Sequence, residues 1–326
     1  MRISLGLTTS MPIEKSIDYA RLADECGYYR IWVGEDVLSR EIFTYISVIA
    51  LKTEKILVGT GVTNPYVRNI AVIASNSAGI QELSKNRFTL GLGAGGIPEV
   101  EKMTGEKPKR VVEVMREATT LLRRIFNGEK ITYDGILAHL KDYKLSISGI
   151  SPPKIYFGVR GPKMLALAGE IADGVIFSGS KDYLLKAIKR VEESARKAGR
   201  DPEDIDFVLW NPVVEIKEEK DLDLARLVTA TIVASQPDSV LREMNLDTEK
   251  VERIRELFKS GNYDKASDMV SRDLLDSICI AGSRDQVIET FEEFHKKGFR
   301  EFVLGPPYGR NPVETIKSFK KCAGEL

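Results

Sequence analysis

The feature that most constrains the fold of this 326-residue chain is a regular alternation of short apolar runs with amphipathic segments. Eight runs have the length and β-branched content of buried strands, and a stretch with helical periodicity follows each. Strands that alternate with helices form parallel sheets covered on both faces, and eight such units close into a (β/α)8 TIM barrel of the α/β class. The predicted strands are 2–8, 28–33, 55–62, 87–93, 154–159, 173–178, 205–216 and 301–305. The predicted helices are 13–26, 41–53, 70–84, 108–127, one beginning near Pro162, 181–198, 284–297 and 312–324.

Two segments exceed the repeating unit and are predicted to be insertions. Residues 129–147 alternate apolar and polar side chains around Asp134-Gly135, a dipeptide typical of hairpin turns. Residues 219–276 are charged and helical and precede the last strand, with a short apolar run at 278–281 after them. Because no linker-like stretch separates either segment from the barrel, we expect a single decorated domain over residues 1–326.

The charge balance excludes several functional classes. Lys and Arg total 48 and Asp and Glu total 48, so no net field favours a nucleic acid or an anionic membrane. No apolar run approaches the roughly 20 residues of a membrane-spanning helix, and the N-terminus lacks the long apolar region of a signal peptide. We therefore expect a cytoplasmic protein that acts on a small molecule.

Cysteine and histidine usage argues against a disulfide framework or a metal site. Cys26, Cys279 and Cys322 have no C-x-x-C spacing and are expected to be unpaired thiols in a reducing compartment. Only His139 and His295 offer an imidazole, so no metal is predicted. Three glutamines, together with 29% charged residues of both signs, resemble the composition of thermophile proteins.

The stretch RFTLGLGAGG matches the glycine pattern of dinucleotide-binding loops through Gly91, Gly93 and Gly96. In a dinucleotide fold this loop follows the first strand and its helix begins within the glycines, whereas here the pattern follows the fourth predicted strand. A dozen polar residues separate it from the next predicted helix, and the only acids at the ribose-binding distance, Glu113 and Glu117, lie inside that helix. The glycines are therefore expected to let a cofactor approach the backbone at the barrel mouth.

Two neighbouring strand ends have the composition of a phosphate site. Glycine and serine follow the fifth and sixth strands, and each stretch precedes a helix N-terminus, where backbone N–H groups converge on an anion. Arg160 or Lys163 would add positive charge. The alternative is ordinary turn chemistry, because glycine and serine are common before helices. The candidate residues are Gly158, Val159, Arg160, Gly161, Ser178, Gly179 and Ser180.

The stretch GTGVTNPYVRN after the third strand is similar to the bacterial-luciferase-like flavin and deazaflavin enzymes. Within them the chain resembles the archaeal coenzyme F420-dependent methylenetetrahydromethanopterin reductases, most specifically through GVTNPY and GPKMLALA. RFTLGLGAGG and DLLDSICIAGSRDQVIE also match, so the resemblance spans essentially the whole chain, including both insertions. It implies a luciferase-like TIM barrel and an archaeal homodimer of one-carbon metabolism and methanogenesis. The implied reaction is hydride transfer between coenzyme F420 and a methylene-tetrahydropterin, most directly 5,10-methylenetetrahydromethanopterin.

The same resemblance implies where the cofactor lies. The family has a non-prolyl cis peptide at the end of the third strand, which corresponds to Gly61-Val62, and the resulting bulge presses behind the central ring of the cofactor. The cofactor phosphate corresponds to the two Gly- and Ser-rich loops. The small, apolar segment 70–80 is a candidate dimer seam. The residues implied at the ring-binding wall are Thr60, Gly61, Val62, Thr63, Gly93 and Gly95.

The chain departs from the reductases at their acidic positions. They have a carboxylate near the end of the first strand, where this chain has Gly6, and an Asp closing the fourth-strand loop, where it has Gly96. An Asp-His pair after the second strand is replaced by Glu35 and Asp36. Because proton transfer to a substrate nitrogen needs a positioned acid, we expect Glu35 and Asp36 to be catalytic, with Glu99 as a further substitute.

Three alternatives follow from these departures. Glu35 at a strand end could instead cap a helix or pair with Arg40. The protein could be an FMN-dependent monooxygenase of the same barrel family. It could also bind coenzyme F420 without reductase activity, since two acids are missing.

Overall fold

The computed structural model describes residues 1–320, in which parallel strands alternate with helices along the chain. The predicted end of the last helix at 321–324 and Cys322 lie outside the described residues. The strands are β1 (Arg2–Thr8), β2 (Arg30–Gly34), β3 (Leu57–Thr60), β4 (Phe88–Leu92), β5 (Ile131–Asp134), β6 (His139–Tyr143), β7 (Lys154–Gly158), β8 (Gly174–Phe177), β9 (Asp206–Leu209), β10 (Pro212–Glu215), β11 (Ile280–Gly282) and β12 (Glu301–Tyr308). The helices are α1 (Ile13–Glu25), α2 (Ile42–Lys52), α3 (Ile70–Leu83), α4 (Ile97–Thr104), α5 (Val111–Phe126), α6 (Pro162–Ile171), α7 (Lys181–Lys197), α8 (Glu219–Ser235), α9 (Asp238–Glu243), α10 (Thr248–Lys259), α11 (Tyr263–Asp268), α12 (Arg272–Ile278), α13 (Arg284–His295) and α14 (Pro312–Ser318).

Eight of the strands close into a parallel barrel, which confirms the predicted fold. Their order is β1-β2-β3-β4-β7-β8-β9-β12, and β12 pairs back onto β1 with Arg2 opposite Glu301. The barrel strands are buried almost throughout, as expected for strands covered by helices outside and by packed side chains inside. This closure brings the carboxyl ends of all eight strands to one mouth.

The hairpin and the helical segment occupy the places where the sequence predicts insertions. Strands β5 and β6 pair antiparallel in a separate two-stranded sheet. The Glu117 carboxylate holds the turn by accepting the backbone N–H groups of Ile136, Leu137 and Ala138 at 2.7–3.0 Å. The predicted insertion 219–276 contains helices α8 to α11 and most of α12, which ends at Ile278.

The predicted seventh strand, 205–216, is wrong as one continuous strand. The chain breaks at Trp210 and Asn211, so that β9 belongs to the barrel while β10 pairs with β11 and the outer half of β12. The Asn211 side chain bonds both backbone groups of Gly179, donating to its carbonyl at 3.0 Å and accepting its N–H at 2.9 Å. Pro212 then has no N–H for a ladder, and the two features together redirect the chain.

The predicted polar loop before residue 108 is also wrong. Helix α4 begins directly after Gly96, and α5 begins at Val111. Pro98 in the first turn and Gly105 at the end, with φ +78°, are ordinary start and stop signals. The short polar helix was missed because only Val100 of its residues is buried, so its apolar periodicity is weak.

The barrel interior is layered from its amino-terminal end to its mouth. At the bottom, the fully buried Arg30 and Glu301 form an ion pair at 3.4 Å. The middle layer is apolar and aromatic, and Val62 and Trp210 pack on its upper side. Its members are Trp32, Tyr156, Ile176, Val208 and Val303.

Within residues 1–320, no helix is both long enough and apolar enough to cross a membrane. In the same range, no group of three or more His, Cys, Asp or Glu side chains lies close enough together to hold a metal ion.

Candidate active site at the barrel mouth

A cavity of about 770 Å³ opens at the carboxyl ends of the barrel strands. Its size lies within the range of small-molecule sites. The helical insertion forms part of the wall through Gln236, Pro237 and Val240. The residues predicted from sequence that line this cavity are Glu35, Asp36, Gly61, Val62, Gly95, Gly158, Val159, Arg160 and Ser178.

Other predicted site residues lie behind the cavity wall. The buried Thr60 hydroxyl donates to the Gly91 carbonyl at 2.7 Å and accepts the Gly91 N–H at 2.8 Å, which ties β3 to β4. The Thr63 hydroxyl accepts a hydrogen bond from Arg68 at 3.1 Å. The Ser180 hydroxyl donates to the Met244 carbonyl at 2.9 Å. The predicted residues outside the lining are Thr60, Thr63, Gly93, Gly161, Gly179 and Ser180.

The glycines of the fourth-strand pattern make room for a protein side chain. The Gly61-Val62 peptide bond is cis, and Val62 projects between β4 and β7. A Cβ at Gly93 would stand 2.6 Å from Val62 Cγ2, and one at Gly158 would stand 2.6 Å from Cγ1. A Cβ at Gly91 would strike the Thr60 carbonyl. Gly91 and Gly93 therefore accommodate the β3 corner, and the approach of a cofactor to Gly93 stays a prediction.

Trp210 is a cavity residue that the sequence reasoning missed as a functional side chain. Its indole faces four glycines on or next to β12, β1, β2 and β3, at each of which a Cβ would stand 2.2–3.6 Å from an indole atom. A Cβ at Gly6 would stand 2.8 Å from three indole atoms, and one at Gly305 would stand 3.0 Å from Trp210 Cδ1. The sequence feature that could have indicated a large side chain at the centre of the mouth is a glycine on or next to each of four strands: Gly6, Gly34, Gly61 and Gly305. The indole thus fills the volume into which a carboxylate at position 6 would project.

Glu35 is held in a buried ion pair. Its side chain is 1% exposed. Arg68 Nη1 donates to Glu35 Oε2 at 2.9 Å and Arg68 Nη2 donates to the other oxygen. Burial raises the pKa of the Glu35 carboxyl, and the Arg68 guanidinium opposes that rise. Arg68 also bonds Glu41, which caps α2. Both oxygens of Glu35 are therefore engaged by one fork-shaped cation.

The predicted alternative partner of Glu35, Arg40, bonds elsewhere. Arg40 Nη1 donates to the carbonyls of Thr9, Ser10 and Met11 at 3.1–3.3 Å. Arg40 therefore stabilises the loop after β1. The partner of Glu35 is Arg68, from the loop after β3, and not Arg40.

Two other carboxylates line the cavity. Asp36 is exposed and its Oδ1 accepts the Leu38 N–H at 3.1 Å, closing a turn. Glu99 is half-buried in the first turn of α4. Within residues 1–320 the Glu99 side chain has neither a hydrogen bond nor an ion pair, so its carboxylate is free to meet a ligand.

Arg160 is the cationic residue of the cavity wall. Its Nη1 donates to the amide oxygen of Gln236 at 3.0 Å, and among the described residues it forms no salt bridge. Burial lowers the pKa of the Arg160 guanidinium, and the nearby Tyr183 and Glu243 oppose that shift. Lys163, the other predicted cation, is exposed and lies outside the cavity lining.

The N-terminus of α6 lies beside Arg160 and is open. Gly161 caps it with φ +77° and no side-chain hydrogen bond, so early N–H groups remain available. By contrast, the Ser180 hydroxyl accepts the Tyr183 N–H and closes the N-terminus of α7. The Tyr183 hydroxyl lies close to the Gly161 backbone, and burial raises its pKa to about 12. Of the two predicted phosphate loops, the one at Gly158 to Gly161 is thus the better anion site.

Comparison with known proteins agrees with this architecture. The family model of luciferase-like monooxygenases matches residues 1–301. The 5,10-methylenetetrahydromethanopterin reductase of Methanolobus tindarius is 33% identical over 325 residues, which cover 98% of this chain and 99% of that protein. The reductase of the same name from Archaeoglobus fulgidus is 34% identical and covers 98% of each chain.

A solved structure extends the similarity to three dimensions. The coenzyme F420-dependent tetrahydromethanopterin reductase from Methanopyrus kandleri superposes with a TM-score of 0.90 at 27% identity, over 98% of this chain and 97% of that one. The match includes both insertions, because it extends over nearly the full length of each chain. The protein therefore belongs to the luciferase-like family, with relatives over its whole length among the 5,10-methylenetetrahydromethanopterin reductases.

Proposed function

We propose that this protein, acting as one barrel unit over residues 1–326, is a coenzyme F420-dependent oxidoreductase. Its reaction is the reduction of 5,10-methylenetetrahydromethanopterin, or the reverse. The relatives with this name cover nearly the whole chain at 33–34% identity. The FMN-dependent monooxygenase and the cofactor-binding relative without activity are not favoured, because the curated relatives that cover nearly the whole chain at 33–34% identity are reductases.

The observation that carries the proposal is the position of Arg160 at one end of the mouth cavity. It is a partly buried cation that forms no salt bridge with a described residue, and it lies next to the open N-terminus of α6 and the Tyr183 hydroxyl, with the Glu243 carboxylate close to Gly161. This donor set suits a phosphate group. A phosphate on a tricyclic cofactor would be held there, with Gly158 to Gly161 and Ser178 around it.

The ring of the cofactor has a wall to rest on at the centre of the mouth. Gly61 and Val62 line the cavity, and Trp210 supports Gly61 from below. When bound and reduced, the deazaflavin supplies a hydride to the substrate carbon. The residues of the chain bind the ring, exclude water through the apolar mouth and handle the proton that accompanies the hydride.

Turnover of a methyl-tetrahydropterin tests this proposal. Purified protein is mixed with oxidised coenzyme F420 and methyl-tetrahydromethanopterin, and we expect the visible band of the oxidised deazaflavin to fall. Secondary alcohols and sugar phosphates serve as alternative hydride donors, and FMN serves as the alternative cofactor. Oxidation of an alcohol or a sugar phosphate, without reaction of the pterin, would contradict the proposed substrate. Turnover with FMN but not with coenzyme F420 would contradict the proposed cofactor.

We further propose that the protein is a homodimer. Helices α2 and α3 carry the exposed apolar side chains Leu51, Val72 and Leu83, and α3 contains the small-residue segment 70–80. Light scattering at micromolar concentration should give twice the mass of 36.4 kDa. A single-chain mass that persists at high concentration would contradict this.

The setting is proposed to be the cytoplasm of a thermophilic archaeon with one-carbon metabolism of the methanogenic type. Cys26 and Cys279 are buried free thiols, which suit a reducing compartment. Few glutamines and many interspersed charges suit high temperature. A melting temperature in the mesophile range of about 45–65 °C would contradict the thermophilic origin.

A further inference from the structure

The proposed reaction needs a proton donor at the mouth cavity. Three carboxylates line it: Glu35, Asp36 and Glu99. Both oxygens of Glu35 accept hydrogen bonds from Arg68, and its side chain is 1% exposed. Asp36 uses one oxygen to hold its own turn. Glu99 is the carboxylate of the three that bonds no other described residue.

The backbone around Glu99 leaves a specific space for its carboxylate. A Cβ built on Gly96 would lie 3.1 Å from Glu99 Cδ and would collide with Oε2. Gly96 has φ −73° and ψ 131°, a conformation open to any residue. The glycine is thus not required by the backbone at this position; its missing side chain is the volume that the Glu99 carboxylate occupies.

The cavity that Glu99 lines also has apolar side chains. Ile97, which is 53% exposed, Pro108 and Val111 are among its lining residues. A flat heterocycle covers such a surface favourably. A single unpaired carboxylate among apolar groups would then face one polar atom of that heterocycle.

We propose that Glu99 is the catalytic residue that exchanges a proton with the substrate nitrogen, an inference that rests on the proposed function. In the reducing direction a proton passes from Glu99 to the nitrogen that leaves the bridging carbon. That C–N bond breaks and its electron pair stays on the nitrogen. The hydride that reduces the carbon, with its two electrons, would come from the bound, reduced cofactor, and Glu99 regains a proton from solvent.

The test compares five variants with the wild type, one of which is Asp36→Asn. Glu99→Gln removes the carboxyl group that would donate the proton. Glu101→Gln is the matched control, on the same helix but outside the cavity lining. Glu99→Ala and the double variant Gly96→Asp/Glu99→Ala ask whether a carboxylate returned from position 96 restores function. The double variant should fold, because the three atoms of the described residues nearest to the new Cβ all belong to the Glu99 side chain.

The expected result has three parts. Glu99→Gln lowers kcat about 100-fold, within the usual range for a lost general acid, while the affinity for coenzyme F420 stays within twofold. Glu101→Gln keeps the wild-type kcat. The double variant has a kcat at least tenfold above that of Glu99→Ala.

A binding measurement without turnover completes the test. In the methyl product the freed nitrogen carries a hydrogen that a carboxylate can accept. Glu99→Ala should therefore weaken methyl-tetrahydromethanopterin binding to the cofactor-free protein about tenfold, the value of one hydrogen bond to a charged group.

The outcomes separate this inference from the proposed function. A wild type that turns over the pterin while Glu99→Gln loses less than tenfold in kcat overturns the role of Glu99 and leaves the function standing. A large loss of kcat in Asp36→Asn, with little loss in Glu99→Gln, also overturns the role of Glu99 and leaves the function standing. A wild type that reacts with no C1-pterin overturns the function and this inference with it.

Discussion

The indole of Trp210 lies against Gly6, so closely that a methyl group at position 6 would stand 2.8 Å from Cε2, Cζ2 and Nε1. The two residues are 204 positions apart in the sequence, and they meet because β12 closes the barrel between β9 and β1. The absence of a side chain at position 6 is therefore a packing requirement of this chain. An acid there would need the indole to leave.

The first prediction follows from that contact. Gly6→Ala should lower the free energy of unfolding by about 1–3 kcal/mol, the usual cost of overpacking a rigid site. Gly79→Ala is the control, because a Cβ there meets nothing within 4 Å and alanine favours the interior of α3. Chemical denaturation measures both variants. Equal effects of the two substitutions would contradict the packing account.

Arg160 should hold the phosphate of the cofactor. Arg160→Met removes charge-assisted hydrogen bonds and should weaken coenzyme F420 binding about 10- to 100-fold in a fluorescence titration. A deazaflavin that carries the ribityl chain without its phosphate should bind the wild type and the variant equally. Equal weakening for both ligands would show that Arg160 shapes the pocket and does not bind the phosphate.

The buried pair at the bottom of the barrel should be intolerant of losing one member. Glu301 accepts hydrogen bonds from Ser4 Oγ and Trp32 Nε1, both at 2.7 Å, and faces the Arg30 guanidinium at 3.4 Å. Glu301→Gln leaves that cation unpaired and should cost about 3–5 kcal/mol in denaturant unfolding. Arg30→Met in the same chain should recover part of the loss. A double variant less stable than Glu301→Gln would contradict the charge argument.

Asp206 should contribute stability that depends on pH. Burial by itself would raise the pKa of this carboxyl, but the Tyr156 hydroxyl and the Arg2 guanidinium bond it and lower the pKa below its ordinary value of 3.8. A depressed folded-state pKa means that the unfolded chain binds the proton first. The stabilisation is therefore present above pH 3.8 and is lost as the pH falls through the folded-state value.

Asp206→Asn measures that contribution. The variant should be less stable than the wild type by about 1–3 kcal/mol at neutral pH, since a buried charged hydrogen-bond acceptor is lost. The difference should shrink as the pH is lowered below 3.8. Urea unfolding at several pH values checks both points, and a difference that grows towards acid pH would contradict them.

Much of the architecture could be predicted from the sequence because it depends on local periodicity. Eight apolar runs with helices behind them specify a parallel barrel, and the carboxyl ends of those runs are then the mouth. The hairpin at Asp134-Gly135 follows from turn chemistry. Where periodicity is weak, prediction failed: α4 has one buried residue, and the break at Trp210 depends on a side-chain bond from Asn211 to another strand end.

The chemistry of the site was harder to predict because it depends on contacts between distant segments. That Arg68 would bind Glu35 could not be read from their separation of 33 residues. Arg160 and Lys163 are equal candidates in the sequence, and burial separates them only in the folded chain. The glycines at 93 and 158 look like ligand loops until Val62 is placed between them.

A crystal structure of the complex with oxidised coenzyme F420 tests the central claim most directly. The account predicts density for the tricyclic ring against Val62, with the phosphate within hydrogen-bond distance of Arg160 and the N-terminus of α6. Density for the cofactor elsewhere on the barrel, or a phosphate bound at the capped N-terminus of α7 with Arg160 still on Gln236 alone, would contradict it.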